Sequence, residues 1–135
     1  MHTLVPWIRA AGGIHLAIAA ANLALPRRLR YRENLSLVSP IIRQIFVVHS
    51  IYVVLVVLFF GALCLFFAPE LAGGDRLPRF LSAAMAVFWL GRVPVQLFYY
   101  DAGLRRQNPL ADAVFSLSAL FLGSLFTVAA LGLVR

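Results

Sequence analysis

The sequence is poor in cysteine, and this limits the redox and metal chemistry open to one chain. Its 135 residues include a single cysteine, Cys64. One cysteine excludes an intrachain disulfide, a zinc–cysteine cluster and a CxxC redox motif. Cys64 lies within an apolar stretch, where a free cysteine behaves as a small hydrophobic residue. No metal site is therefore predicted.

Acidic residues are also scarce, with 5 aspartates and glutamates against 12 basic residues, all of them arginine. None of the five lies inside an apolar stretch, so paired carboxylates for acid–base catalysis are missing. The sequence has no Ser–His–Asp order suggestive of a catalytic triad. It also lacks an HExxH motif and a glycine-rich phosphate loop. No catalytic residue is predicted.

Apolar residues are what the sequence has in abundance. They make up 62% of the chain, and only 13% is charged, about half the share of a typical soluble domain. A soluble chain of this length has too little interior to bury so many apolar side chains. The net charge is +7, and the charged residues lie mostly between the apolar stretches. That placement favours membrane orientation and contact with anionic lipids over nucleic-acid binding.

Four apolar stretches reach the length of about 20 residues that a helix needs to cross a bilayer. Short connections between them predict antiparallel neighbours. We therefore predict an all-α integral membrane protein, residues 1–135, folded as a single up-down four-helix transmembrane bundle. Pro26 is expected to end the first helix. The predicted helices cover residues 5–25, 43–68, 80–100 and 112–134.

The arginines predict how the bundle is oriented. They cluster in the loops 26–42 and 101–111, which an even-numbered bundle places on the same side. Cytoplasmic loops are enriched in basic residues, so we expect these two loops in the cytoplasm and both termini on the non-cytoplasmic side. The expected location is the bacterial inner membrane, with membrane lipids as neighbours.

Polar residues recur at helical spacing on three of the predicted helices. With a rise of 1.5 Å per residue, they lie roughly 6–16 Å from the cytoplasmic helix ends. Polar faces of membrane helices normally turn towards other helices. We therefore predict one ligand pocket in the cytoplasmic half, lined by His15, Asn22, His49, Tyr52, Arg92 and Gln96.

Arg92 is the most unusual of these residues. Its guanidinium stays protonated, and its burial in a bilayer costs several kcal/mol. Asp101 is too far along the helix to pair with it, whereas Asp112 is a candidate cross-helix partner or a helix cap. Pro94 removes one helical hydrogen bond and is expected to bend the helix. Without a buried counter-ion, Arg92 suggests an anionic ligand, a lipid phosphate or a partner subunit.

The two intramembrane histidines, His15 and His49, leave three hypotheses open. They are candidate axial ligands of a b-type haem, hydrogen-bond partners of a quinone or another lipophilic molecule, or links between helices. The predicted function is a small polytopic subunit of a larger membrane complex that holds a quinone, a lipid or a b-type haem, with electron transport as one role. The alternative is a stand-alone membrane enzyme, of isomerase or cyclase type, acting on a lipid or isoprenoid.

Overall fold

The computed structural model describes residues 3–100 and 102–134, and this part of the chain contains helices and turns without a β-strand. Two short turns are not α-helical: a 3₁₀ turn at Leu35–Leu37 and a π-helical turn at Val95–Tyr99. The α-helices are α1 Val5–Arg28, α2 Tyr31–Asn34, α3 Pro40–Phe66, α4 Ala68–Leu71, α5 Arg76–Pro94, α6 Ala102–Gln107 and α7 Pro109–Leu131.

Four of these elements are long and apolar enough to cross a membrane: α1, α3, α5 with its π turn, and α7. They contain 24, 27, 24 and 23 residues, each above the minimum of about 17 for a bilayer-spanning helix. The prediction of an all-helical chain with four long apolar helices is therefore confirmed. Insertion into a membrane, the up-down topology and the side of the termini stay predictions.

Proline positions explain most differences between the predicted and observed helix ends. Pro40 and Pro109 are the first residues of α3 and α7, where the missing amide would have had no helical acceptor. The expectation that Pro26 ends α1 is wrong, because α1 continues to Arg28. A proline removes only its own amide hydrogen bond, and so close to the helix end this loss leaves the last turn intact.

The chain divides into two compact units. The α1–α3 unit comprises Ala11–Phe66, and the α5–α7 unit comprises Met1–Ala10 with Phe67–Arg135. Each unit has its own helix pair and its own buried side chains. That the whole chain forms a single transmembrane domain stays a prediction.

In the α5–α7 unit, the two long helices run in opposite directions. Arg79, near the start of α5, donates to the carbonyl of Ala130, 2.8 Å away near the end of α7. Midway along the pair, Leu90 packs against Gly123: a Cβ built there would lie 2.5 Å from Leu90 Cδ2 and 3.2 Å from its backbone nitrogen. Small residues permit such close approach. Buried side chains of this core include Met85, Trp89, Leu122 and Phe126.

In the α1–α3 unit, a glycine again marks the close approach. A Cβ built on Gly61 of α3 would lie 3.2 Å from His15 Cβ on α1. Elsewhere in this unit, the rings of Tyr31 and Phe46 meet edge to face, with centroids 5.2 Å apart. The buried residues of α3 are Val57, Gly61 and Cys64, which are spaced by four and three positions and so share one helix face.

Candidate functional site

The six predicted site residues divide between the two units. Four of them, His15, Asn22, His49 and Tyr52, belong to the α1–α3 unit, and Arg92 and Gln96 belong to the α5–α7 unit. Convergence of all six on one pocket stays a prediction.

His15 is fully buried in the packing of α1 on α3. Its Nδ1–H donates to the Ala11 carbonyl one helical turn earlier, at 2.7 Å. The imidazole also meets the ring of Phe60 nearly at right angles, with centroids 6.0 Å apart. A polar side chain so deep in a helix pair is stabilised when its hydrogen bonds are made within the protein. These contacts give His15 a structural role in the unit.

His49 and Tyr52 lie on an exposed face of α3. The His49 Nδ1–H donates to the Ile45 carbonyl at 2.8 Å, and Tyr52 is 64% exposed. That this polar face lines a ligand pocket stays a prediction. Within the unit, α3 is buried through another face, the one that contains Gly61. Small residues on that face allow the close backbone approach that His49 and Tyr52 would prevent.

Asn22 lines a cavity of about 330 Å³ in the α1–α3 unit. Its side-chain amide donates to the Ile18 carbonyl at 2.9 Å. Ser50, also at the cavity, donates to the Phe46 carbonyl at 2.8 Å. The remaining lining consists of apolar side chains from α1 and α3, together with Tyr31, Arg32, Leu35 and Arg43.

The cavity is not predictable from the pattern of residues, although two of its features are visible in the sequence. Arg32 lies in the arginine-rich loop 26–42 and Arg43 directly follows this loop, and both line the cavity. The spacing of polar residues puts Asn22 on a polar face of α1, but its neighbours depend on how α1, α2 and α3 pack. Helical periodicity gives the face of one helix, not the partner that the face meets.

Arg92 is held between two aromatic rings. Its guanidinium carbon lies 5.1 Å from the ring centre of Tyr100 and 5.3 Å from that of Phe115. Both distances are within the range of a cation–π contact. Across residues 3–100 and 102–134, Arg92 has no carboxylate in ion-pair distance; Asp101 lies outside the described residues. The rings therefore contact the charge without supplying a negative counter-charge.

Gln96 belongs to a polar cluster around Asp112. Its side-chain amide donates to Asp112 Oδ1 at 2.7 Å. Arg105 donates from Nε to the same oxygen at 3.1 Å and from Nη2 to Oδ2 at 3.3 Å. It also donates from Nη1 to the Leu97 carbonyl at 2.8 Å. A fork of two donors on one carboxylate is a strong, directional pairing.

Asp112 is therefore neither the partner of Arg92 nor the cap of α7. Its carboxylate is taken up by Arg105 and Gln96, and Asn108 holds the N-cap position of α7. From the sequence, Arg105 is only one of the loop arginines that predict the orientation of the bundle. Its pairing with Asp112 depends on α6, a short helix that the pattern of apolar residues did not reveal.

The π turn explains how the chain reaches this cluster. Pro94, the last residue of α5, lacks the amide that would continue the α-helical ladder to Leu90. The following turn is wider, and the Tyr100 amide donates to the Val95 carbonyl, five residues earlier, at 3.2 Å. Such turns occur frequently at functional sites. The irregularity predicted at Pro94 is thus a π turn that carries Gln96 and Leu97.

Within the part of the chain that the structure describes, no three His, Cys, Asp or Glu side chains come close enough to hold a metal ion. No protein-family model, curated protein or solved structure matches this chain. Functional inference therefore rests on the geometry of its own residues. These residues define an all-helical protein with four helices able to span a membrane, an apolar cavity in one unit and an arginine between rings in the other.

Proposed function

We propose that the chain is a multi-pass protein of the bacterial inner membrane that holds a lipophilic ligand and works as a small subunit of a larger membrane assembly. The cavity of about 330 Å³ in the α1–α3 unit is the observation that carries the ligand proposal. Its volume lies at the lower end of the range for small-molecule sites. Its walls belong to helices apolar enough to sit in a bilayer.

A quinone or a lipid fits the contacts of the proposed site residues better than a b-type haem. His15 uses Nδ1 on the Ala11 carbonyl within the helix packing, and His49 lies on the exposed face of α3. Asn22 keeps its side-chain oxygen and a second N–H for a ligand. The visible absorption spectrum of the purified protein tests this preference for a quinone or a lipid over haem, because bound haem gives a Soret band. We expect none, and a Soret band lost in His15→Ala or His49→Ala would restore the haem hypothesis.

Two observations support the subunit part of the proposal. Only 11% of the most apolar window of α3 is buried within the chain, which leaves a broad apolar surface for lipid or for a helix of another protein. Arg92 has ring contacts but no carboxylate partner among the described residues. A buried guanidinium gains most from an acidic partner with matching geometry. A neighbouring subunit is a natural source of that partner.

Co-purification tests the assembly. In mild detergent, the chain is expected to isolate with other membrane proteins in fixed stoichiometry. Arg92→Leu should weaken this association, whereas Arg76→Leu, at the exposed start of α5, should leave it intact. Isolation as a monodisperse single chain that converts a lipid substrate would overturn the subunit proposal in favour of the stand-alone enzyme.

Filling the cavity tests the ligand. Ser50→Leu adds apolar volume to the lining, and Ser118→Leu makes the same change at a half-buried position of α7 outside the cavity. Native mass spectrometry of the wild-type protein should show a bound lipophilic molecule, which Ser50→Leu loses and Ser118→Leu retains. Equal ligand occupancy in all three proteins would show that the cavity is not the binding site.

A further inference from the structure

The α1–α3 cavity combines an apolar wall with two arginines. Leu23, Val47 and Val54 contribute to the wall, and Arg32 and Arg43 complete the lining. Neither guanidinium has a hydrogen-bond acceptor or an ion-pair partner among the described residues. The one acid of this segment, Glu33, lies 3.7 Å from Arg30 in an exposed pair. Within the part of the chain that the structure describes, the lining thus offers two positive charges without a counter-ion.

We propose that this cavity binds an anionic phospholipid, with the lipid phosphate on Arg32 and Arg43 and one acyl chain along the apolar wall. This inference rests on the proposed membrane location and ligand-holding role, and it names the ligand class of the same cavity. Guanidinium groups bind phosphate through paired N–H donors. Basic segments next to membrane helices attract the anionic lipids of the adjoining leaflet.

The length of the lining matches one leaflet of a bilayer. Along α3, the lining runs from Arg43 to Val54, which is about 16 Å at 1.5 Å per residue. Half of a hydrocarbon core about 30 Å thick is of the same length. An acyl chain that starts at a phosphate on Arg43 would therefore follow the wall to the depth of the bilayer centre.

The mixture of charge and apolar surface separates a phospholipid from simpler ligands. A neutral quinone can accept hydrogen bonds from the guanidinium groups but has no charge to neutralise them, and a free phosphate gains nothing from the apolar wall. An anionic phospholipid uses both. Arg27 and Arg28 lie at the end of α1 but do not line the cavity, so they provide controls of identical charge in the same segment.

The experiment compares lipids on the purified full-length chain by native mass spectrometry and by thermal stabilisation in a neutral detergent. The probes are phosphatidylglycerol, phosphatidylcholine with the same acyl chains, and glycerol phosphate without a chain. We expect phosphatidylglycerol to bind the wild type most tightly. Arg32→Gln and Arg43→Gln should each weaken its binding by about tenfold, as expected for one lost charge-assisted hydrogen bond. Arg27→Gln and Arg28→Gln should have little effect.

Each other outcome overturns the proposal in a different way. Equal binding of the two phospholipids, unaffected by Arg32→Gln and Arg43→Gln, would leave a lipophilic site but refute the anionic headgroup. Equal weakening by all four arginine variants would show general surface attraction. Tight binding of glycerol phosphate alone would show an anion site without a lipid. Lipid binding that survives Ser50→Leu unchanged would refute both the headgroup inference and the cavity as ligand site. The comparison of the two phospholipids on the wild type holds even where a variant fails to fold.

Discussion

Gly123 shows most directly how single residues control the packing. A methyl group at this position would lie 2.5 Å from Leu90 Cδ2 and 3.2 Å from the Leu90 backbone nitrogen. The side-chain end can rotate away, but the backbone contact requires α5 and α7 to separate. We expect Gly123→Ala to lower the free energy of unfolding by about 1–3 kcal/mol, the usual cost of overpacking.

Gly91, on α5, is the matched control, because a Cβ there meets nothing within 4 Å. Gly91→Ala should leave the stability unchanged or raise it by up to about 1 kcal/mol, since alanine favours the helix. Thermal unfolding of both variants in one detergent measures the difference. Equal stability of the two variants would contradict the close packing of α5 on α7.

The pairing of Asp112 with Arg105 leads to a second prediction at the residue scale. Asp112→Asn removes the charge that both Arg105 nitrogens contact, and Arg105→Gln removes the donor fork. Each single variant should lower the melting temperature. The double variant should lower it by less than the sum of the two, because partners of one interaction are not additive. Strict additivity would show that the pair makes no energetic contribution.

The connection between α1 and α2 supplies a prediction at the scale of elements. Arg30 joins these helices in a left-handed conformation, with φ 50° and ψ 54°, which costs a residue with a side chain about 1–2 kcal/mol. Its ion pair with Glu33 is exposed and contributes little. Arg30→Gly should therefore raise the stability by roughly 0.5–1 kcal/mol.

Arg28 tests whether the effect of Arg30→Gly comes from the backbone. It is the last residue of α1 and carries the same charge. Arg28→Gly should lower the stability by up to about 1 kcal/mol, because glycine disfavours a helix. Thermal unfolding of the two variants should thus shift in opposite directions, and a shift in the same direction would contradict the left-handed connection.

The four long helices were predictable because a long apolar run with few charges is stable as a helix, whether it lies in a bilayer or packs against another helix. The short elements were not. The helix α6 and the π turn lie among polar and aromatic residues whose pattern favours no period, and their geometry follows from Pro94 and from the pairing of Arg105 with Asp112. Local periodicity does not report such long-range contacts.

Which face of each long helix is buried was predictable only in part. His15 lies on the buried face of α1, as a polar residue on a mixed helix should. For α3, with a mean hydropathy of 2.6 over its most apolar window, every face is apolar enough to be buried. Its small residues Gly61 and Cys64 lie on the buried face, whereas the polar pair His49 and Tyr52 lies on an exposed face, and the spacing of polar residues alone does not predict this.

At the scale of the whole molecule, the chain has far fewer acidic residues than arginines, and this imbalance determines what its charged side chains can bind. The described residues contain two ion pairs, Arg30–Glu33 and Arg105–Asp112, which leave most arginines for lipid, ligand or another subunit. The proposed lipid cavity and the proposed partner of Arg92 both follow from this imbalance. Both also require that the arginine-rich loops lie at the surface of a membrane on its cytoplasmic side.

Accessibility of two loop positions in intact cells tests that central requirement. Single cysteines at positions 30 and 75, in a Cys64→Ala background, would be treated with a membrane-impermeant maleimide before and after permeabilisation. We expect position 75 to react in intact cells and position 30 to react only after permeabilisation. Reaction of position 30 from the outside, or release of the chain from membranes by alkaline washing, would contradict the account.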